Sequence, residues 1–217
     1  MTLEEAIAKI KPLDHNAMEI AQKRWDSIAK PLHSLGKLET LLIQIAGITG
    51  NAEVDLSRRG LIAMCADNGV VEEGVTQTGQ EVTAIVAENF LKYDTSVGVM
   101  CKQNHAEIFP VDMGMVTDTK VRTDHKIAYG TQNMTKGPAM TREQAVKGLE
   151  AGIDMVRELN DKGYRILATG EMGIGNTTTS SAVASVLLKQ PVEEMTGRGA
   201  GLTSEGLVRK INAVSYT

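Results

Sequence analysis

The chain has 217 residues, 42% apolar and 23% charged, which is the composition of an ordinary globular protein with a hydrophobic core. Its formal net charge of −4 at pH 7 argues against a nucleic-acid binder, because no basic excess is available to neutralise phosphates. The N-terminus lacks the apolar segment of a signal peptide and no apolar run approaches the roughly 20 residues of a membrane span, so we expect a cytoplasmic protein.

Three helical patterns precede the first strand pattern. The first begins with a capping box at Thr2, the second has Asp14 as its N-cap, and the third ends at Gly50. Because these helices come before any strand, we predict that residues 1–55 form a small helical appendage. Residues 56–217 are then the main α/β domain.

Three continuous apolar runs follow and predict buried strands: GLIAMCA (60–66), AEIFPVDMGM (106–115) and YRILATG (164–170). Helical patterns lie between and after them, and the clearest runs from Thr141 to Lys162. The apolar stripe of that helix consists of Val146, Leu149, Ile153 and Val156. Buried strands that alternate with helices predict an α/β fold, a Rossmann-like parallel sheet flanked by helices.

Each predicted strand ends in a polar, glycine-rich segment. The three segments contain ADNGVVEEGVTQTG, DMGMVTDTK and GEMGIGNTTT. Ligands of parallel sheets bind at the carboxyl ends of the strands, so we expect the segments to converge on one site. The irregular segment YGTQNMTKGPAM (129–140) is long for a plain connection and is a candidate binding loop.

The segment GEMGIGNTTT leads from a strand through a glycine-rich turn into a helix, an arrangement that aims backbone N–H groups at one place and suits a phosphate. It lacks the Gly-Lys-Ser/Thr of a Walker A sequence and the third glycine of a dinucleotide-binding turn. From the pattern alone, phosphate binding and a plain connection are equally well supported. Glu171 is expected to contact a hydroxyl or N–H group of the ligand, and capping of its own loop is the alternative.

A second glycine-rich turn, TGRGAGL, contains a cation and precedes a helix that begins near Ser204. Arg198 in the turn, and Arg209 and Lys210 in the helix, are candidate partners of a phosphate. The alternative for each is a solvated surface charge.

Other polar residues give no independent sign of chemistry. Asp67 and Asp112 both follow or end strands, where turn chemistry explains them as well as function does. Cys65 and Cys101 lie in apolar surroundings and are expected to be buried free thiols rather than a disulfide. The histidines are scattered, so we expect neither a metal nor another cofactor.

The chain resembles the nicotinate-nucleotide–dimethylbenzimidazole phosphoribosyltransferase family in blocks that keep the family's order: ADNGVVEEGVTQTGQEVTAIVAENF, VDMGM, GTQNMTKGPAMTREQA, GEMGIGNTTTSSAVASVLL and TGRGAGL. The resemblance implies transfer of phosphoribose from nicotinate mononucleotide to 5,6-dimethylbenzimidazole. The products are α-ribazole 5′-phosphate, a precursor of the lower ligand of cobalamin, and nicotinate. It also implies a homodimer that needs no cofactor.

The same resemblance assigns roles to individual residues. The nucleotide and its phosphate would bind at Gly173, Gly175, Asn176, Thr177, Thr178 and Lys210, to which we add Arg198. The benzimidazole would bind at Thr76, Gln77, Gln80, Ile85 and Met172. Glu171 resembles a glutamate that lines the active site in a supporting role. Asn68 stands where a histidine is usual, and residues 75–79 read VTQTG where many relatives have VS and a proline.

Chains of this family continue well past residue 217, and the glutamate regarded as their general base lies in that further part. We therefore expect a truncated chain that lacks its base and part of both ligand sites and has little or no activity. The alternative function is a non-catalytic phosphate- or nucleotide-binding α/β module. A third interpretation is a purely structural domain.

Overall fold

The structure is a computed structural model that describes residues 1–216, and the chain divides into two compact units, Met1–Arg58 and Arg59–Thr217. The assignment of domains from the sequence, with its boundary at residue 56, stays a prediction.

The first unit is helical, and its elements are α1 (Leu3–Ala8), α2 (His15–Ser27) and α3 (Lys37–Thr49). The capping box predicted at Thr2 is present, since its hydroxyl accepts the N–H of Glu5, whose side chain in turn accepts the N–H of Thr2. Asp14 caps α2 by accepting the N–H of Ala17 at 3.0 Å. The third helix ends before Gly50, as the sequence predicts.

Within the described part of the second unit, a parallel sheet is formed by β1 (Arg59–Ala66), β2 (Ala106–Gly114) and β3 (Ile166–Met172). The strand order is β2-β1-β3, so the central strand is the first in the chain. Cys65 near the end of β1 pairs with Asp112 on one side and Met172 on the other. The carboxyl ends of all these strands therefore lie along one edge, and the predicted α/β class is confirmed.

Helices connect and cover the strands: a 3-10 turn at Gly69–Glu73, α4 (Glu81–Phe90), α5 (Ser96–Gln103), α6 (Arg142–Asp161), α7 (Asn176–Leu188), α8 (Val192–Met195) and α9 (Ser204–Ser215). Among residues 1–216, every helix is too short or too polar to span a lipid bilayer. The helix α7 begins at Asn176, directly after the glycine-rich turn, as the sequence predicts.

The central strand β1 has apolar side chains on both faces, and each face is covered. One face contributes Ala63 and Cys65 to a cluster with Ala87 and Phe90 of α4. The opposite face contributes Ile62, which packs in a cluster with residues of β2 and with Met155 and Leu159 of α6. This alternation follows from the two-residue period of a strand and fixes β1 in the middle of the core.

The structure corrects the prediction that YRILATG is a buried strand. The third strand has β1 as its partner on one side only, and residues along it are exposed, with Ile166 at 37% of its full surface. It also continues to Met172, so Glu171 lies in the strand rather than in the turn. An apolar run indicates a strand but cannot indicate on how many sides the strand is paired.

The buried face of α6 also differs from the predicted stripe. Leu149 and Val156 are 56% and 45% exposed, whereas Ala151, Met155 and Leu159 are buried. The helix has apolar residues on two neighbouring faces. The face that packs on the sheet contains Met155 and Leu159, which are four residues apart.

Candidate functional site

The carboxyl end of β3 leads into a tight turn that lies against the end of β1. A Cβ atom at Gly173 would lie 2.0 Å from the carbonyl oxygen of Ala66, so this approach of two backbones requires glycine. Gly175 has a φ of +90° and is the N-cap of α7. The turn therefore places the first turn of α7 at the same sheet edge as the end of β1.

Fewer amides of this turn are free than the sequence suggested. The N–H of Ile174 donates to the hydroxyl of Thr83 at 3.0 Å, and those of Asn176 and Thr178 donate to Gly173 and Gly175 at 3.0 and 2.9 Å. In the described part of the chain, the amides of Gly175 and Thr177 have no hydrogen-bond acceptor. These N–H groups remain for a ligand, as does that of Gly173, which also has no acceptor among the described residues.

A cavity of about 270 Å³ lies between this turn, the segment after the 3-10 turn, and the TGRGAGL segment. It brings together most of the residues singled out in the sequence. Those that line it are Thr76, Gln77, Met172, Gly173, Gly175, Asn176, Thr177, Arg198 and Lys210. One cavity therefore contains residues predicted for the nucleotide and residues predicted for the benzimidazole.

The remaining predicted residues lie outside the lining of this cavity. Thr178 is fully buried in the first turn of α7, and Ile85 on α4 is exposed. Gln80 donates to the backbone oxygen of Asn68 at 3.2 Å. Glu171 is exposed and accepts a hydrogen bond of 3.0 Å from Asn176, so in this structure it orients a residue of the cavity rather than lining it.

Lys210 is the most unusual residue of the cavity. Its side chain on α9 is 1% exposed, and its ammonium donates to the hydroxyl of Thr177 at 2.7 Å. Within the described residues no carboxylate forms an ion pair with it, and burial lowers the pKa of its ammonium. A buried cation without an anionic partner is costly, and a bound anion would compensate that cost.

Gly199 in the TGRGAGL segment leaves room for the ammonium of Lys210 to reach Thr177 in the first turn of α7. A Cβ atom at Gly199 would lie 2.8 Å from the hydroxyl oxygen of Thr177 and 3.2 Å from the Nζ of Lys210. Arg198 uses its guanidinium locally, donating to the carbonyl of Leu202 at 2.8 Å and to the hydroxyl of Ser204 at 3.2 Å. Lys210 is therefore the cation best placed to bind an anion.

The other candidate residues have structural roles. The Nε of Arg209 donates to the carbonyl of Gly74 outside the cavity. Asp67 and Asp112 are fully buried and accept backbone N–H groups from Val116 and from residues 114 and 115, which supports the turn-chemistry interpretation. Burial is the main cause that raises the pKa of Asp67.

The chemistry of the cavity is limited by the side chains that line it. Among the described residues of the lining, none is an aspartate or a glutamate. Within residues 1–216, no group of three His, Cys, Asp or Glu side chains is placed to hold a metal ion. The cavity can thus bind and orient an anion, but the described lining offers no carboxylate as a proton acceptor.

The supporting contacts of Thr83 and Asn68 with the turn were not predicted from the sequence, because the contacting residues are distant along the chain. Thr83 is completely buried and meets Ile174, 91 residues away, and Asn68 meets the same residue from 106 residues away. A threonine between Val82 and Ala84, in an otherwise apolar helical pattern, was the signal available for Thr83.

The chain is similar to known proteins along most of its length. A family model described as "Phosphoribosyltransferase" matches residues 10–217. The chain is 50% identical over 216 residues to a nicotinate-nucleotide–dimethylbenzimidazole phosphoribosyltransferase of Ruminiclostridium cellulolyticum, covering 99% of this chain and 61% of the relative. The enzyme of the same name from Clostridium tetani is 47% identical over 214 residues, with 98% and 59% covered.

A solved structure is also similar. The crystal structure of CobT from Thermus thermophilus superposes with a TM-score of 0.85 at 36% identity, over 93% of this chain and 61% of that chain. The chain thus spans about three fifths of the length of the curated relatives it matches.

Proposed function

Because the chain belongs to the phosphoribosyltransferase family whose model matches residues 10–217, we propose that its cavity binds the phosphate of nicotinate mononucleotide. The proposed reaction transfers the 5-phosphoribosyl group to 5,6-dimethylbenzimidazole and yields α-ribazole 5′-phosphate and nicotinate. The relatives from Ruminiclostridium cellulolyticum and Clostridium tetani are named for a nicotinate nucleotide and dimethylbenzimidazole, which supports this choice of substrates.

The observation that carries the proposal is the buried ammonium of Lys210. It lies in the cavity with the hydroxyl of Thr177 as its partner at 2.7 Å and without an ion pair among the described residues. The unpaired amides of Gly175 and Thr177 line the same cavity. A phosphate would accept hydrogen bonds from all of these groups and would neutralise the cation.

The proposed chemistry needs little beyond orientation. The bond between C1′ of the ribose and the pyridinium nitrogen of nicotinate breaks, and its electron pair leaves that nitrogen neutral. A nitrogen of the benzimidazole forms the new bond to C1′ from the opposite face, which inverts the anomeric carbon. The proton on the other benzimidazole nitrogen is then lost to a base. Holding the phosphate fixes the position of C1′, which is the contribution of this cavity.

A second candidate function is binding of a nucleotide or another phosphate without turnover. The observation that favours it is the lack of a carboxylate in the cavity lining of the described chain. Loss of a general base typically lowers the rate of such a step by about 10²- to 10⁴-fold.

Calorimetry and product analysis separate these possibilities. Nicotinate mononucleotide is titrated into the chain, and the chain is then incubated with both substrates while released nicotinate is measured. Binding together with release of nicotinate supports the transferase, and binding alone supports the second candidate. Absence of binding, together with absence of thermal stabilisation at high nucleotide concentration, would contradict both.

The assembly and location of the protein are further parts of the proposal. We infer a homodimer that works in the cytoplasm, with an α/β domain that carries the site and a helical appendage at its N-terminus. The free, buried thiols of Cys65 and Cys101 support a reducing compartment. Sedimentation equilibrium tests the dimer, and a monomer at every concentration would contradict it.

A further inference from the structure

Asn68 follows β1 and its side chain connects the end of that strand to the turn before α7. Its Nδ2 donates to the carbonyl oxygen of Ile174 at 3.2 Å. Its Oδ1 accepts a hydrogen bond of 2.9 Å from the hydroxyl of Thr179. Asn68 is not among the residues that line the cavity with Lys210.

Ile174 is held at both of its backbone polar groups. Its N–H donates to Thr83, and its carbonyl accepts from Asn68. The peptide between Ile174 and Gly175 is planar and trans, so its N–H points away from the side on which its carbonyl lies. The hydrogen bond from Asn68 therefore directs the N–H of Gly175 away from Asn68.

The orientation of this peptide matters because the Gly175 amide is an unpaired donor of the turn in the described chain, and Gly175 lines the cavity. Glycine has the widest choice of backbone conformations, so little in Gly175 itself prevents the peptide from rotating. A rotated peptide would present the carbonyl oxygen of Ile174 to a phosphate, and the two would repel each other.

We propose that Asn68 is a positioning residue that holds the N–H of Gly175 toward the bound phosphate. This inference rests on the proposed phosphate-binding function. It adds Asn68 as a residue that affects the phosphate through the amide of Gly175 and not by direct contact. A purely structural role for Asn68 would make stability and ligand affinity fall together. If Asn68 has a positioning role, its loss lowers the affinity for phosphate by more than the change in stability explains. It also alters how the Gly175 amide signal responds to phosphate.

Asn68→Leu tests the role because leucine has a similar shape but can neither donate nor accept a hydrogen bond. We expect its affinity for inorganic phosphate and for nicotinate mononucleotide to fall by about tenfold or more, the effect of losing one hydrogen bond to a charged group. Thr179→Val is the matched control, since it removes the hydrogen bond that the Oδ1 of Asn68 accepts and leaves the donation from its Nδ2 to Ile174 intact. Its affinity should stay within about twofold of the unchanged chain.

Asn68→His provides a rescue. Its Nδ1 is the same number of bonds from the backbone as the Nδ2 of asparagine and can donate to Ile174. We expect this variant to recover part of the affinity that Asn68→Leu loses. Equal affinities of the leucine and histidine variants would contradict the role of the donor.

Amide NMR of the unchanged chain tests whether the Gly175 N–H contacts bound phosphate, and it does so even where a variant fails to fold. Titration with inorganic phosphate should shift the Gly175 N–H signal downfield, and Asn68→Leu should abolish that shift. Phosphate binding with an unmoved Gly175 signal would overturn the inference alone, as would unchanged affinity in Asn68→Leu. If the unchanged chain binds no phosphate, or if Lys210→Met binds it with the same affinity as the unchanged chain, the proposed function fails and the inference fails with it.

Discussion

At the scale of single residues, Lys210 distinguishes a binding role from a structural one. Lys210→Met removes a buried ammonium that has no ion pair among the described residues, so the free energy of unfolding should not decrease. The affinity for nicotinate mononucleotide, measured by calorimetry, should fall by about 10- to 100-fold, since hydrogen bonds to a charged group contribute about 1.5–3 kcal/mol.

Arg209→Met is the control for Lys210→Met, because it removes the same charge from the same helix at a residue that does not line the cavity. Its affinity for the nucleotide should change little. Equal losses of affinity in the two variants would mean that net charge, rather than the position of Lys210, determines binding.

The pH dependence of binding also depends on Lys210. Burial lowers the pKa of its ammonium, so the unliganded protein holds this proton less tightly than the unfolded chain does. The charged form therefore costs stability at neutral pH. This cost begins to shrink as the pH rises past the lowered pKa and is gone above the ordinary pKa of 10.5. Phosphate binding requires the charged form, so affinity should fall over the same range, below pH 10.5.

Calorimetric titrations between about pH 7 and pH 10 measure this dependence, because the phosphate monoester keeps its double charge throughout that range. Lys210→Met should show a flat profile. A decline of equal slope in that variant would assign the pH dependence to another group.

Gly199 tests the close approach that brings Lys210 to α7. It has a φ of +56°, and an added Cβ would lie 2.8 Å from the Thr177 hydroxyl oxygen. Gly199→Ala should lower the free energy of unfolding by about 1–3 kcal/mol, measured by urea denaturation, and should weaken nucleotide binding as well. Gly197→Ala, two residues away, adds a Cβ with nothing within 4 Å and should be nearly neutral. Similar destabilisation by both changes would contradict the packing described for Gly199.

At the scale of elements, the sequence predicted the strands and the long helices well but not their surroundings. The capping box at Thr2 and the ends of α3 and α6 are set by neighbouring residues, so local patterns were sufficient. The exposure of β3 and the buried face of α6 depend on which elements lie beside them, and local patterns do not contain that information.

In the site too, features set by neighbouring residues were predicted and contacts between distant residues were not. Glycine-rich turns and polar strand ends are local signals, and they identified residues such as Gly173, Thr177 and Lys210 that line one cavity. The supporting contacts of Asn68 and Thr83 with Ile174 join segments far apart in the chain. They became visible only when the parallel order of the strands was known.

The helix α7 has an exposed apolar face that should affect behaviour in solution. Val186 and Leu187 are 72% and 74% exposed and border a groove of about 860 Å³. We expect concentration-dependent self-association that Leu187→Glu weakens without loss of stability, because an exposed leucine contributes little to the core. Val99→Glu on α5, at another exposed apolar position, is the control for sedimentation equilibrium. Equal effects of both changes would mean that association does not involve the face of α7.

At the scale of the whole molecule, one physical relation connects fold and function. The parallel order β2-β1-β3 brings the ends of β1 and β3 together, and the turn after β3 starts a helix whose first residues meet a buried lysine from α9. The relatives named as transferases are longer than this chain, which covers 61% of the one from Ruminiclostridium cellulolyticum.

The most direct test is a crystal structure of the chain with nicotinate mononucleotide. We predict that a phosphate oxygen lies about 3 Å from the Nζ of Lys210 and within hydrogen-bond distance of the Gly175 and Thr177 amides. A nucleotide bound elsewhere on the chain, with this cavity occupied only by solvent at saturating concentration, would contradict the proposed role of Lys210.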